Sequence, residues 1–335
     1  MLRIAIDAMG GDCGPRVIIA GALAAARDLS VGLMLVGRKG EVRAALDRMA
    51  VDPSVDLTLV DADEVVDMGE PPAAALRRKP GASIRVAAGL VQRGEASALF
   101  SAGSTGATVI AACNAFGLLD DVDRPALAAT VPTRRGPAVL LDAGANAACR
   151  PRHLFHFAVM GSVYARVALG IERPRVGLLS IGAEETKGNT LTREAHRLLK
   201  NAPVDFIGNV EAQEVYSGLA DVMVCDGFTG NVALKVSEGL AEMIVDVLGD
   251  ELAQSTGAGG SLAARRAFRR FRRKIDYSEY GGAPLLGVAG LAVVGHGRSS
   301  AKAVRNAVAM AHRFATQDMV RRIGREIAAE RVPRT

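Results

Sequence analysis

The feature that most constrains this chain is a unit of apolar strand, glycine-bearing polar loop and helix, which recurs at five places. The fullest copy is residues 221–235, DVMVCDGFTGNVALK. Val222–Cys225 reads as a strand ending in Asp226, Gly227-Phe228-Thr229-Gly230 as a turn, and a helix enters at Asn231. Backbone N–H groups, the positive end of a helix and Lys235 then surround one small space, which suits phosphate or a developing oxyanion. Alone, such a turn need only redirect the chain, because glycine is the default residue of tight turns. Recurrence adds weight. Arg3–Asp7 ends in Asp7-Ala8-Met9-Gly10-Gly11-Asp12, and Ala98–Ser101 ends in Ser101-Ala102-Gly103-Ser104-Thr105-Gly106-Ala107. Ala138–Asp142 continues into Gly144 and Asn146, and Arg175–Ser180 into Ile181–Asn189 with Lys187.

Further strands are expected at Gly32–Val36, Val55–Val60, Ala126–Val131, Val204–Ile207 and Val288–Val293. Helices are expected at Arg16–Asp28, Ser104–Phe116 and His153–Gly170. This alternation predicts an α/β fold, a mostly parallel sheet with helices on both faces. Ligands should gather at the carboxyl ends of the strands. At 335 residues the chain exceeds a comfortable single core, so it should form one unit of two lobes without a clean boundary. Residues 244–280 interrupt the pattern and read as a basic amphipathic helical insertion.

Aromatic residues make up only 4% of the chain, too few for a base-stacking surface, so nucleic acid is not an expected partner. Cys13, Cys113, Cys149 and Cys225 form no CxxC pair and read as reduced thiols in a cytoplasmic protein. No secretory segment or membrane span is expected, because the chain opens directly on a strand-like run and holds no membrane-length apolar stretch. There is no GxxxxGK[ST], no GxGxxG after the first strand and no HExxH, so no cofactor or metal is expected.

Residues 265–274, RRAFRRFRRK, carry seven cations in ten positions. On a helix Ala264, Phe268, Phe271 and Ile275 share a stripe flanked by arginines. Two readings fit: a solvated helix with a narrow core-facing stripe, or a basic element meeting an anionic bilayer or an acidic protein. In the second, Arg265, Arg266, Phe268, Arg269, Phe271, Arg272 and Arg273 make the contact.

The motifs taken together resemble the bacterial phosphate acyltransferases of phospholipid synthesis, the PlsX family. The resemblance spans Ile4 to about Ala315. It rests on IAIDAMGGD (4–12), SAGSTGA (101–107), LDAGAN (141–146), HFAVMGS (156–162), KGNTLT (187–192), FIGNVE (206–211), CDGFTGNVALK (225–235), DYSEYGGAPLLG (276–287) and HGRSS (296–300). It implies conversion of long-chain acyl-acyl carrier protein and inorganic phosphate to acyl phosphate and free carrier protein. It also implies a homodimer, peripheral membrane association and an architecture similar to phosphotransacetylases and the isocitrate dehydrogenase-like group. The chain departs from the family at Ser104, where Asn is usual, and at Ala148, where an Asp is common. It departs again at Ala212-Gln213-Glu214 and at Ser180-Ile181-Gly182-Ala183-Glu184.

For such a reaction the work is to hold phosphate against a thioester carbonyl and to stabilise an oxyanion. Phosphate is expected among Ser101, Gly103, Ser104, Thr105, Gly106, Gly230 and Lys187. Asn146, Asn189 and Asn231 are expected as side-chain donors near the carbonyl oxygen. Lys235, four residues into its helix, either joins the phosphate site or points to solvent. His296 either shuttles a proton or is a hydrogen-bonded structural residue. Asp7, Gly10, Gly11, Asp12 and Asp226 are expected to shape loops, with Glu184 also structural. Rival readings are an acyltransferase using coenzyme A thioesters, a metal-dependent hydroxyacid dehydrogenase and a non-catalytic scaffold at the membrane surface.

Overall fold

The structure is a computed structural model that describes residues 1–256, 262–275 and 277–329. In chain order its elements are β1 (Arg3–Asp7), α1 (Gly14–Asp28), β2 (Gly32–Gly37), α2 (Lys39–Leu46), β3 (Leu57–Asp61), α3 (Pro72–Arg78), α4 (Ser83–Gln92), β4 (Ala98–Ser101) and α5 (Thr105–Phe116). There follow β5 (Ala126–Leu127), β6 (Ala129–Thr133), β7 (Gly136–Leu141), α6 (Pro151–Leu169), β8 (Arg175–Ser180), α7 (Thr190–Leu199), β9 (Asp205–Glu211) and β10 (Val222–Val224). The remainder is α8 (Gly227–Thr256), α9 (Leu262–Ile275), β11 (Ala283–Leu286), β12 (Ala292–Val294), α10 (Ala301–Thr316) and α11 (Met319–Ala329).

The strands divide between two sheets. One has seven strands in the order β3-β2-β1-β4-β12-β11-β5, the other five in the order β6-β7-β10-β8-β9. The central pairs of both are parallel, and among the described residues the strands pair antiparallel only around β11 and between β6 and β7. Every residue of β2 and β4 is buried, as a parallel sheet covered on both faces requires. Among the described residues no helix is long and apolar enough to cross a membrane.

Helix α6 joins the layers. Pro151 suits its first turn, and Gly170 ends it in the left-handed conformation at φ 70°. Its residues His153–Ala165 are all buried, the mark of a helix enclosed on every side. Tyr164 anchors it, with its hydroxyl 2.8 Å from Thr130 Oγ1 and Phe314 of α10 edge-on at 5.7 Å.

Two expected strands are corrected. The apolar run Ala126–Val131 is not one strand but β5 and β6, which pair in different sheets. At the break, Ala128 N–H donates to Pro284 O and Leu127 N–H to Asp142 Oδ1, which carries the chain across. The expected strand Val288–Val293 straddles the loop between antiparallel β11 and β12. Gly287 opens that loop at φ 87°, a conformation that side chains disfavour. Gly227–Gly230 is not a turn before a helix but the first turn of α8 itself. That helix runs to Thr256, so the insertion boundary expected at 244 falls inside a continuous element.

Candidate active site

Parallel β1, β4 and β12 lie side by side in the large sheet, as do β7, β10 and β8 in the small one. The loops after β1, β4, β7, β10 and β12 converge on a cleft of about 2020 Å³ lined by Asp12, Gly103, Thr105, Gly144, Asn231, Lys235 and His296. Four of the five expected strand-end loops therefore contribute to one cavity, joined by the loop after β12.

On the large-sheet side the loops are stitched together by buried polar groups. Ser101 Oγ donates to Asp7 Oδ2 at 2.7 Å and accepts the Gly103 N–H at 3.1 Å. Burial pushes the Asp7 carboxyl upward, opposed by hydrogen bonds from Ser101 and Ser83. Ser101 is fully buried, so its expected place in the phosphate site is corrected: its hydroxyl binds Asp7 instead. Ser104 is the N-cap of α5, accepting from Ala107 N–H, and Gly106 packs against Pro72. Gly103 and Thr105 remain at the cleft wall. A Cβ on Gly10 would lie 2.6 Å from Gly103 N, so the first loop approaches the second closely there. Gly11 adopts φ 95°, and Asp12 N–H then donates to Gly297 O at 2.8 Å. That bond ties the first loop to the segment carrying His296.

The small-sheet side is organised by Asp142, which is fully buried. Its Oδ1 accepts from the N–H groups of Leu127, Gly144 and Ala145 at 2.9–3.0 Å. Its Oδ2 accepts from Asn146 N at 2.7 Å and Asn146 Nδ2 at 2.8 Å. Asn146 Nδ2 also donates to Pro125 O at 2.6 Å. Both amide hydrogens of Asn146 are therefore committed, and it is a loop brace rather than the free donor expected. Asn189 caps α7, its Oδ1 accepting Thr192 N–H at 2.9 Å, and it is not among the residues lining the cleft.

Helix α8 seats its first turn on this loop. Asp226 caps it, accepting Thr229 N–H at 2.9 Å and Thr229 Oγ1 at 2.8 Å. A Cβ on Gly230 would fall 1.9 Å from Asp142 O, and one on Gly227 2.6 Å from Asn146 O. These glycines thus allow helix and loop to touch, and for Gly230 close packing replaces the expected contact with phosphate. The seating brings Asn231 beside Gly144, on the cleft wall.

One helical turn further on, Lys235 faces the cleft rather than open solvent alone. Its Nζ lies 2.8 Å from Glu238 Oε2 and 2.9 Å from His296 Nε2. The other imidazole nitrogen accepts Arg298 N–H at 3.2 Å. Burial and the neighbouring Lys235 charge hold His296 below the usual imidazole range, with Glu238 opposing. With Nδ1 accepting, a neutral His296 carries its proton on Nε2, the atom that faces Lys235.

Lys187 stands elsewhere. It is exposed on the loop after β8 and is not among the residues lining the cleft. Its N–H donates to Glu184 O, the same carbonyl that accepts from Asn209 Nδ2 at 2.9 Å. Asn209 Oδ1 in turn meets His196 Nδ1 at 2.9 Å, so this loop is pinned toward β9 and α7.

Helix α9 supplies the outer wall. Arg266, Arg269, Arg270 and Arg272 line the cleft, as do Glu242 and Asp246 of α8. Arg265 is exposed but does not line it, and the side chain of Arg273, like Gly257–Ser261, lies outside the described residues. The expected stripe of Ala264, Phe268, Phe271 and Ile275 is half-buried. Phe268 reaches within 3.6 Å of the position a Cβ would take on Gly249 of α8. The apolar stripe is thus turned toward the protein, which leaves the arginines for outside contact.

Two residues of consequence escaped the sequence reading. Asp142 lay inside a quoted motif, and a carboxylate followed closely by Gly-Ala-Asn is a pattern for collecting successive N–H groups. Glu238 had a plainer signal, three residues after Lys235 on a helix.

Comparison with known proteins identifies the family. A family described as fatty acid synthesis protein matches residues 2–322. The phosphate acyltransferase of Geobacter sulfurreducens is 46% identical over 330 residues, covering 98% of this chain and 95% of that protein. That of Pelotomaculum thermopropionicum is 50% identical over 311 residues, covering 92% and 90%. Among solved structures, a phosphotransacetylase from Streptococcus pyogenes shares the fold at TM-score 0.62 and 18% identity, with 94% of each chain covered. The match over nearly the whole chain places it in the phosphate acyltransferase family of fatty acid and phospholipid synthesis, an acyltransferase.

Proposed function

We propose that this enzyme takes its acyl group from the thioester of an acyl carrier protein and passes it to inorganic phosphate in the cleft between α8 and loop 295–300. The observation that carries the proposal is the meeting of Asn231, Lys235 and His296 with Gly103 and Gly144 in one cavity at the strand ends. Lys235 neutralises the incoming dianion beside the Gly103 loop. Asn231 faces the carbonyl oxygen as it gains charge. The balanced step is R–CO–SR′ + HPO₄²⁻ → R–CO–OPO₃²⁻ + HSR′. A phosphate oxygen bonds to the carbonyl carbon, the C–S bond breaks, and the phosphate proton ends on sulfur. Positioning supplies much of the rate, because a bound dianion is already nucleophilic.

The arginines of α9 are the docking surface for an acidic carrier protein, and the same cations suit an anionic membrane, at about 1 kcal/mol each near such a surface. Carrier protein is favoured because the arginines line the same cleft that the acyl group must enter. In Arg269→Glu with Arg272→Glu, the KM for palmitoyl-acyl carrier protein should rise severalfold and lose its salt dependence, with palmitoyl-coenzyme A turnover unchanged. Equal KM values in variant and parent would remove the carrier-protein assignment. Liposome flotation of the same variant reports separately on lipid.

A homodimer forms on the outer face of α8, where Phe228, Val232, Val236, Leu240, Met243 and Val247 are all exposed at helical spacing. Val236→Glu with Leu240→Glu should convert a sedimenting dimer to monomer. Unchanged sedimentation would place the interface elsewhere.

A further inference from the structure

The wall that α8 gives to the cleft is of two kinds. A helix turns about 100° per residue, so Lys235, Glu238, Glu242 and Asp246 fall within about −20° to 60° of Asn231 around the axis. They form a polar row. Leu234, Ala241 and Val245 fall at about −40° to −80° and form an apolar row alongside it. Both rows line the cleft. The exposed Val236 and Leu240 lie at about 140° to 180° and belong to the outer face.

The apolar row has apolar company. Leu234 packs against the buried cluster that holds Leu127 and Ala129, and both of these also line the cleft. Thr130, next to Ala129 on β6, has its hydroxyl held by Tyr164. Half-buried Ile275 and Tyr280 contribute further to the lining.

None of these residues enters the reaction as set out so far. Phosphate has no use for an apolar wall. A long acyl chain does, because taking methylenes out of water is favourable in proportion to the apolar area covered. The dimensions agree. At a rise of 1.5 Å per residue, Ala241 lies about 15 Å along α8 from Asn231, and Val245 about 21 Å. The acyl chain of a membrane lipid spans about 15 Å, half of the ~30 Å hydrocarbon core of a bilayer.

We propose that the apolar row of α8, together with Leu127 and Ala129, holds the acyl chain of the substrate, with its carbonyl at Asn231 and its tail running toward Val245. The inference rests on the phosphate acyltransferase reading of this cleft, and it gives the donor's class as a long-chain acyl thioester. The two rows divide the substrates between them. Phosphate meets the polar row at Lys235, and the chain follows the apolar row. Ala241, whose side chain is a single methyl, leaves room where a long chain passes. Ala241 and Val245 therefore set the longest chain that the cleft accepts.

The test compares palmitoyl- and octanoyl-acyl carrier protein as donors, by hydroxamate trapping with inorganic phosphate, in the parent, Ala241→Phe and Val245→Phe. Both donors dock through the same carrier protein, so the ratio of their kcat/KM values reads the chain alone. An octanoyl chain is half as long as a palmitoyl chain and ends short of Ala241. In Ala241→Phe the palmitoyl-to-octanoyl ratio should fall at least about tenfold, the lower end of what one methylene is worth in an apolar pocket. Val245→Phe should lower the ratio by a smaller factor, because it stands about one turn farther from the carbonyl. The KM for phosphate should not move in either variant. An unchanged ratio in folded Ala241→Phe, or a larger fall in Val245→Phe than in Ala241→Phe, would overturn the proposal. If Ala241→Phe does not fold, Val245→Phe decides alone, an unchanged ratio again overturning it. A parent enzyme that forms no acyl phosphate from either donor would instead overturn the reading on which the proposal rests.

Discussion

Replacing Asp142 with Asn should destabilise the protein by about 2–6 kcal/mol, read as a lower denaturant midpoint with unchanged slope. The carboxylate accepts three N–H groups on Oδ1 and two on Oδ2. An amide can match one oxygen only. Its oxygen can satisfy Leu127, Gly144 and Ala145, but its NH₂ then faces the backbone and side-chain N–H groups of Asn146. Two buried donors lose their acceptor, at about 1–3 kcal/mol each. The loss extends past the loop, because α8 rests on it through Gly227 and Gly230. Asn231 and Lys235 would shift with the helix, so acyl transfer should fall even where the variant remains folded. A midpoint within experimental error of the parent would show that Asp142 does not organise this side of the cleft.

Asn231→Ala should lower kcat by about 10²–10³, the effect of removing one oxyanion donor, or roughly 2.7–4 kcal/mol of transition-state stabilisation. The KM for phosphate should move much less, because the donor acts on charge that develops at the thioester oxygen. The side chain is exposed at the cleft wall beside Gly144, so the unfolding midpoint should hardly change. That combination separates it from Asp142→Asn. A kcat within threefold of the parent would remove Asn231 from the oxyanion site.

Much of this site was legible in the sequence because strand–loop–helix units declare themselves locally. Apolar runs bounded by glycine and small polar residues set the parallel strands and the position of the cleft at their carboxyl ends. What was not legible depended on distant partners. Ala126–Val131 reads as a single strand until Pro284 and Asp142 are known to divide its hydrogen bonds between two sheets. Asn146 and Ser101 have the chemistry of ligand donors, but Asp142 and Asp7 consume them, and no spacing rule reports that pairing. Lys187 follows a strand like the others, yet Asn209 and His196 pin its loop toward α7. Lys235 shows the opposite case. Its position one turn into a helix left its direction open until His296, distant in sequence, came within 2.9 Å.

The most direct test of the central claim is hydroxylamine trapping of acyl phosphate formed by the purified protein from palmitoyl-acyl carrier protein, with and without inorganic phosphate. The account predicts hydroxamate that requires phosphate, appears together with free carrier-protein thiol, and falls sharply in Asn231→Ala. Thiol release at the same rate without phosphate, or no product from folded protein, would contradict acyl transfer to phosphate in this cleft.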